Sequence, residues 1–303
     1  MKSIRIGTRD STLALAQTAW VEKKLKEKYP DALIETILIK TSGDRFFEAS
    51  VQAIGGKGIF TKEIEDALLR HEIDIAVHSM KDLPTELPSS LIVAAIPQRE
   101  DPRDVLVSTG AKRLTELSTG AKIGTGSLRR RAQLLHYRRD LTIVPIRGNV
   151  DTRVKKLDQG EYDALVMAAA GLKRIGREKR IAEYISNAVC LGAAGQGALG
   201  LESREDDSIL EELSFLHDPV TFAEVTAERS FLNRLGGGCH VPVGARGVAE
   251  GEKLRLFGVV ANPDGSSLFR GETSGSVAHA EKLGCELAER LLSQGAQQIL
   301  IAP

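Results

Sequence analysis

Residues 3–19 read SIRIGTRDSTLALAQTA, and residues 121–137 read AKIGTGSLRRRAQLLHY. Each opens as a short strand, reaches Ile6-Gly7-Thr8 or Ile123-Gly124-Thr125, turns through polar residues, and continues with apolar residues at helical spacing. The likeness runs on. Leu33 to Thr41 leads into Ser42-Gly43-Asp44, and Leu141 to Ile146 leads into Arg147-Gly148-Asn149. A helix follows each, over about Thr61 to Arg70 and about Thr152 to Leu157, then a strand that opens on an acid pair, Glu72-Ile73-Asp74 or Glu161-Tyr162-Asp163. One β-α-β-α-β plan is used twice.

Alternating strands and helices predict mostly parallel sheets covered on both faces, in which ligands bind beyond the carboxyl ends of the strands. Every polar turn in the repeat lies at such an end. Two facing lobes would form a cleft lined by Arg9, Ser11, Asp44, Ser79 to Asp82, Ser127 to Arg130, Arg147, Lys173 and Arg174, the architecture of type II solute-binding proteins. From about Pro219 the pattern changes to a helix (Thr221 to Leu235), a Gly-rich loop, strands near Val243 to Val248, Leu254 to Ala261 and Ser267 to Gly275, and an amphipathic helix, Val277 to Ser293. Asn262-Pro263-Asp264-Gly265 supplies a turn between the second and third of these strands. The predicted fold is α/β: two similar doubly wound lobes, residues 1–98 with 198–216 and residues 103–192, plus a small C-terminal α+β domain, residues 219–303. Hinges are expected near Gln98 to Asp104 and Gly192 to Gly200.

At 303 residues, 42% of them apolar, the chain is long enough for two or three cores. Its three cysteines form no Cys-X-X-Cys pair or regular spacing, so neither a disulfide framework nor a zinc site is expected. The first ten residues lack the apolar run of a secretory signal, and no later run approaches membrane-spanning length, which predicts a cytoplasmic protein. The formal net charge is zero but unevenly spread: Lys122 to Lys156 holds ten Lys or Arg against two Asp, and Glu202 to Glu228 nine acids and one Arg. Local basicity in a neutral chain points to an anion site rather than to general polyanion adhesion.

Three motifs carry chemistry. Ile73 to Asp82 is a buried strand that delivers Ser79, Lys81 and Asp82 to its end, a carboxylate beside a cation. That arrangement suits proton donation to an amine or stabilisation of a cation; a salt-bridged turn is the plain alternative, and His78 reads as a core histidine. Gly124-Thr125-Gly126-Ser127 leads into Leu128-Arg129-Arg130-Arg131. There free N–H groups attract anions, Ser127 is a candidate N-cap, and the arginines add forked donors that the helix dipole by itself disfavours. An anionic ligand explains arginines placed there, with Arg131 facing solvent. The third motif is Gly236-Gly237-Gly238-Cys239-His240, a thiol on a loop too bare for a core. Cys239 is either a surplus thiol or a reactive one, while Cys190 and Cys285 read as core filler.

Two glycine patterns are decoys: Gly55-Gly56-Lys57-Gly58 lacks the Ser or Thr of a P-loop, and Gly195-Gln196-Gly197-Ala198-Leu199-Gly200 precedes a strand and acids rather than a helix. A charged hydrogen bond contributes roughly 1.5 to 3 kcal/mol, so three or four give a small anion about micromolar affinity. More basic residues line these turns than one such ligand needs. The expected ligand carries several carboxylates or phosphates, or grows.

These motifs together resemble the hydroxymethylbilane synthase family, also called porphobilinogen deaminases. The resemblance spans nearly the whole chain: Ile6 to Ser11, Gly55 to Phe60, His78 to Asp82, Arg99 to Asp104, Gly126 to Arg130, Arg147 to Asn149, Ala170 to Arg174, Gly195 to Gly197, and Gly236 to Pro242. It implies a monomeric three-domain transferase whose Cys239 carries a dipyrromethane primer through a thioether. Four porphobilinogen molecules are added to the primer with loss of ammonia, and water releases linear 1-hydroxymethylbilane. Asp82 matches the family's catalytic carboxylate. Arg9, Ser11, Lys81, Ser127, Arg129, Arg130, Arg147, Arg153 and Arg174 match residues that hold acetate and propionate groups. Asp44, Lys57, Ser79, Thr125 and Gln196 complete the expected binding set. Ala53, where a lysine often stands, and Gly126, where a serine does, depart from the family pattern.

Two rival readings remain in the sequence. A two-lobed module that binds or senses a multi-carboxylate small molecule shares the plan, since fold does not fix function. A nucleic-acid binder built on Arg129 to Arg131 is disfavoured by zero net charge and 4% aromatic residues. Neither nucleic acid nor membrane is an expected partner.

Overall fold

The computed structural model describes residues 3–42, 61–236 and 242–301. Asp44, Ala53, Lys57 and Cys239 lie outside these residues, as do the Gly55 to Gly58 decoy and most of the glycine-cysteine loop. Two compact units are present: Met1–Arg99 with Ala198–Asp218, and Glu100–Gly197 with Pro219–Pro303.

The first unit holds strands β1 (Ser3–Thr8), β2 (Leu33–Leu38), β3 (Ile75–Ser79), β4 (Leu91–Ala95) and β10 (Leu199–Arg204), with helices α1 (Thr12–Lys28), α2 (Lys62–Leu69) and α6 (Ile209–Leu213). Its sheet runs β2-β1-β3-β10-β4. The second unit repeats the order as β7-β6-β8-β5-β9, with β5 at Asp104–Ser108, β6 at Lys122–Gly124, β7 at Thr142–Val144, β8 at Ala164–Ala168 and β9 at Glu183–Tyr184. Helices α3 (Leu128–Tyr137), α4 (Val150–Asp158) and α5 (Ala169–Arg174) follow β6, β7 and β8. The sequence pattern predicted mostly parallel pairing. In each sheet the three repeat strands pair in parallel, but one strand supplied from outside the repeat, β10 or β5, pairs antiparallel on both sides. Periodicity records burial, not strand direction, so this insertion was not readable.

The repeat has a physical basis at its acid pairs. Asp74 accepts a hydrogen bond from the backbone N–H of Arg5 at 2.8 Å, and Asp163 accepts the equivalent bond from Lys122 at 2.7 Å. Each acid thus fixes the register of the first parallel pair, Ile6 beside Ile75 and Ile123 beside Ala164. The next residue has no room for a side chain: a Cβ on Gly7 would lie 2.3 Å from Ile73 Cδ1, and one on Gly124 2.7 Å from Leu165 Cδ2. Ile4, Ile6 and Ile75 are fully buried in the first unit, as Leu106, Ile123 and Leu134 are in the second. Burial of each contributes about 1.5–3 kcal/mol.

The C-terminal part adds an antiparallel sheet β11-β12-β13 (Val243–Glu250, Lys253–Ala261, Leu268–Ser276) packed on helices α7 (Pro219–Arg234) and α8 (Ala280–Leu291). The helices approach closely at Gly284, where a Cβ would meet Ala227 O at 2.4 Å, and Phe231 and Leu287 fill the core. This part belongs to the second unit because it bonds to the lobe there. Ala245 N donates to Gly192 O at 3.0 Å, His136 Nδ1 lies 3.1 Å from Gly265 O, and Arg270 reaches Asn187 O at 2.9 Å. No helix among the described residues is long and apolar enough to cross a membrane.

Candidate functional site

In the first unit, Arg9 and Ser11 occupy the turn between β1 and α1, at the carboxyl end of a parallel strand. Ser11 caps the helix, its Oγ accepting from Ala14 N at 3.3 Å, which leaves the remaining first-turn N–H groups directed toward this end. Beside β1, β3 ends at Ser79, whose Oγ accepts from buried Gln17 of α1 at 2.8 Å. A single 3₁₀ turn, Met80–Asp82, follows. It is pinned from below: Met80 is buried, its N–H donates to Ala198 O at 3.0 Å, and its sulfur occupies the space a Cβ on Gly200 would need. Lys81 is half-buried and Asp82 exposed, so an accessible carboxylate stands on an immobilised turn. His78 is a core residue, its Nε2 2.9 Å from Glu202 Oε2, both groups buried. Nearby Glu65 is raised above the ordinary carboxyl range by burial.

The second unit gathers the cations. Thr125 is buried, and its Oγ1 accepts from Ser127 N at 3.2 Å. Ser127 caps α3, its Oγ accepting from Arg130 N at 3.4 Å. Arg129 and Arg130 do not point to solvent; they are 5% and 6% exposed and converge on Asp104, the first residue of β5. Arg129 Nη1 lies 2.6 Å from Asp104 Oδ2, and Arg130 Nη2 lies 2.7 Å from Oδ1. Gln196 Nε2 adds a bond to Oδ1 at 3.0 Å and another to Pro102 O at 2.7 Å. Burial pushes the Asp104 carboxyl up and the two guanidinium groups pull it further down, leaving it well below the usual carboxylate range. Cys190 Sγ completes the cluster 3.3 Å from Asp104 Oδ2; burial first, then Asp104, pushes its thiol up to about 12.

The sequence explained two arginines at a helix start by an anionic ligand. The structure supplies a carboxylate from within the chain to both. Leu191 O and Val166 O take further bonds from Arg129 and Arg130 at 2.6 and 3.1 Å, but among the described residues of this cluster a single carboxylate answers two guanidinium groups and the thiol is neutral, so one positive charge is left over at the helix N-terminus. Such an excess is unfavourable in a low-dielectric site unless an anion approaches.

Further cations surround the ends of β7 and β8. Arg147 is exposed. Gly148, at φ 111°, sets the turn before Asn149, which caps α4 by accepting from Thr152 N at 2.9 Å. Arg153 Nε donates to Gly148 O at 2.8 Å. Arg174 Nη2 donates to Gly197 O at 2.7 Å, and burial lowers its guanidinium to about 10, still charged at neutral pH. Lys173 pairs with Glu100 at 2.9 Å, and Arg131 is exposed as expected. The structure therefore brings Thr125, Ser127, Arg129, Arg130 and Gln196 into one connected cluster. Arg9, Ser11, Ser79, Lys81 and Asp82 form a separate set on the first unit.

Asp104 entered the sequence reading only inside a longer motif, yet it organises the cation cluster. Its signal was an acid opening the apolar run Val105-Leu106-Val107, which is costly unless a partner is buried with it. Glu228 entered only as the end of an acidic run, with no role. It lies among apolar neighbours of α7 and accepts backbone N–H bonds from Gly195 and Gly247, both at 2.7 Å.

Residues 4–212 match the family model for the porphobilinogen deaminase dipyromethane cofactor binding domain, and residues 222–293 match that for the porphobilinogen deaminase C-terminal domain. The porphobilinogen deaminase of Pelobacter propionicus is 51% identical over 300 residues, covering 99% of this chain and 96% of that one. That of Desulforudis audaxviator is 52% identical over 300 residues, covering 99% and 97%. Among solved structures, the periplasmic aliphatic sulphonate binding protein of Escherichia coli aligns with a TM-score of 0.39 and 16% identity over 74% of this chain and 68% of that one. With both family models matched and half of all positions identical along its length, the chain belongs to the porphobilinogen deaminase family.

Proposed function

We propose that this chain is a deaminating transferase that condenses four porphobilinogen molecules stepwise onto a dipyrromethane primer held by Cys239, and then releases 1-hydroxymethylbilane by hydrolysis. The observation that carries this reading is the buried Arg129–Arg130 pair sharing one carboxylate. Its surplus positive charge suits a ligand bearing several carboxylates, as primer and substrate both do. The donor set of the second unit fits such a primer: the helix N-terminus capped by Ser127, and guanidinium groups at Arg147, Arg153 and Arg174. When bound, the primer supplies the pyrrole carbon to which the first substrate is joined.

The chain's own residues do the rest. Asp82, exposed on its pinned turn, donates a proton to the substrate's amino group, which leaves as ammonia; the resulting carboxylate then stabilises the positive charge on the remaining substrate. Arg9, Ser11, Ser79 and Lys81, with Thr125, Ser127, Gln196 and the arginines of the second unit, hold acetate and propionate groups; Asp44 and Lys57 belong to the same set. Residues 1–98 with 198–216, 103–192 and 219–303 act as three domains of a cytoplasmic monomer.

Intact mass spectrometry tests the reading. The purified protein should exceed its sequence mass by a two-pyrrole adduct and react with Ehrlich's reagent, and Cys239→Ala should lose both signals. Asp82→Asn should keep the adduct while turnover falls by about 10²- to 10⁴-fold. An unmodified wild-type protein that binds porphobilinogen without consuming it would replace the enzyme with a binding module.

A further inference from the structure

Helix α7 carries two acids one turn apart, Glu224 and Glu228, on the face packed against the β11-β12-β13 sheet. They do different things. Glu224 Oε2 pairs with Arg246 Nη1 at 2.8 Å and Oε1 accepts from Ala249 N at 3.1 Å, so both bonds stay within the C-terminal part. Glu228 is fully buried, shares Arg246 at 3.8 Å from Oε1, and spans two parts of the second unit: Oε1 accepts from Gly247 N of β11, and Oε2 from Gly195 N, each at 2.7 Å. Gly195 opens the turn Gly195-Gln196-Gly197, with φ of 73° at Gly195 and 89° at Gly197. The middle residue is Gln196, whose amide bonds Pro102 O and Asp104 and accepts from Arg130 Nη2 at 3.4 Å. Gly197 O receives Arg174 at 2.7 Å. The helix that anchors this turn is also the one that runs on into the segment bearing Cys239.

We propose that Glu228 is a positioning residue: its carboxylate clamps the Gly195-Gln196-Gly197 turn to α7, and through Gln196 and Asp104 it sets the guanidinium groups of Arg129 and Arg130. Glycines leave a turn many accessible conformations, so it keeps one only where its surroundings restrain it, and a buried carboxylate taking two charge-assisted N–H bonds is such a restraint. The consequence for the reaction rests on the deaminase reading above; the consequence for the arginines does not.

Glu228→Gln keeps the shape but places an amide NH₂ against one of the two backbone N–H groups. Glu224→Gln is the matched control, removing a carboxylate of the same helix that bonds Arg246 and Ala249 of β11. Two readouts separate positioning from mere stability. With porphobilinogen as substrate, Glu228→Gln should raise KM about tenfold, with kcat held within about threefold, since one lost restraint on carboxylate binding is worth about one decade. Glu224→Gln should leave KM unchanged even where its melting temperature falls as far. Independently of activity, 2,3-butanedione followed by peptide mapping should modify Arg129 and Arg130 about tenfold faster in Glu228→Gln than in wild type, through more frequent local opening, and no faster in Glu224→Gln. If Glu228→Gln does not accumulate as folded protein, Glu228→Asp, one methylene too short to span both N–H groups, takes its place. Wild-type arginine protection in the Glu228 variant, or equal effects of both substitutions, overturns the proposal. A wild-type protein inert toward porphobilinogen defeats the deaminase reading, and the butanedione comparison still decides the role of Glu228.

Discussion

Replacing Asp104 with Asn should be among the most destabilising single changes in the second unit. Asp104 is wholly buried and takes bonds at 2.6 and 2.7 Å from two arginines that are themselves buried. Asparagine fills the same space, so no cavity forms; what is lost is the one negative charge that, among the described residues, the cluster sets against two guanidinium groups. Breaking a buried pair by removing one partner costs about 3–5 kcal/mol, and at about 2–4 °C per kcal/mol the melting temperature falls by about 6–20 °C. The pH dependence is distinctive. The folded Asp104 carboxyl lies below its ordinary value, so its contribution is complete above the unfolded value near pH 4 and fades as pH falls through the lower folded value. Urea unfolding followed by circular dichroism should therefore show a gap between wild type and Asp104→Asn that is flat from about pH 5 to about pH 8 and narrows only below about pH 4. A gap below about 1 kcal/mol, or one that changes between pH 5 and pH 8, would refute the view that one ionised carboxylate holds both arginines.

Two further outcomes check other parts of the structure. Cys190, buried and with its thiol pushed up to about 12, should resist iodoacetamide in the folded protein at pH 8 and label fully in denaturant; labelling at the rate of a free thiol in the native state would contradict its place in the cluster. Gly197→Ala should cost about 2–4 kcal/mol, because a Cβ there would lie 2.3 Å from Glu100 O at φ 89°. Gly110→Ala, at φ 71° with nothing within 4 Å, should cost only about 1 kcal/mol. Equal costs, measured by urea titration, would mean that the segments at Glu100 and Gly197 do not approach as described.

Much of the site could be read along the chain because its residues sit at turns whose chemistry is local. Ser127 at the start of a helical run is a cap wherever the helix packs, and Ser79-Met80-Lys81-Asp82 ends an apolar strand whatever its neighbours. Asp104, Gln196 and Glu228 could not be read in this way. Their partners lie far off in sequence: Asp104 meets Arg129 and Cys190, and Glu228 meets Gly195 and Gly247. No periodicity encodes those meetings.

The sequence by itself determined the repeat, because a strand, a capped helix and an acid-led strand are each set by residues a few positions apart. It also marked the cation-rich turns and the carboxylate at Asp82. Only the tertiary structure decided that the sheets take in antiparallel strands from outside the repeat. It alone showed that Arg129 and Arg130 converge on Asp104, and that a buried acid on the helix leading to Cys239 grips the turn behind them. Local patterning fixes which residues can form an element; which distant charge balances a buried one depends on how separate segments are brought together in the core.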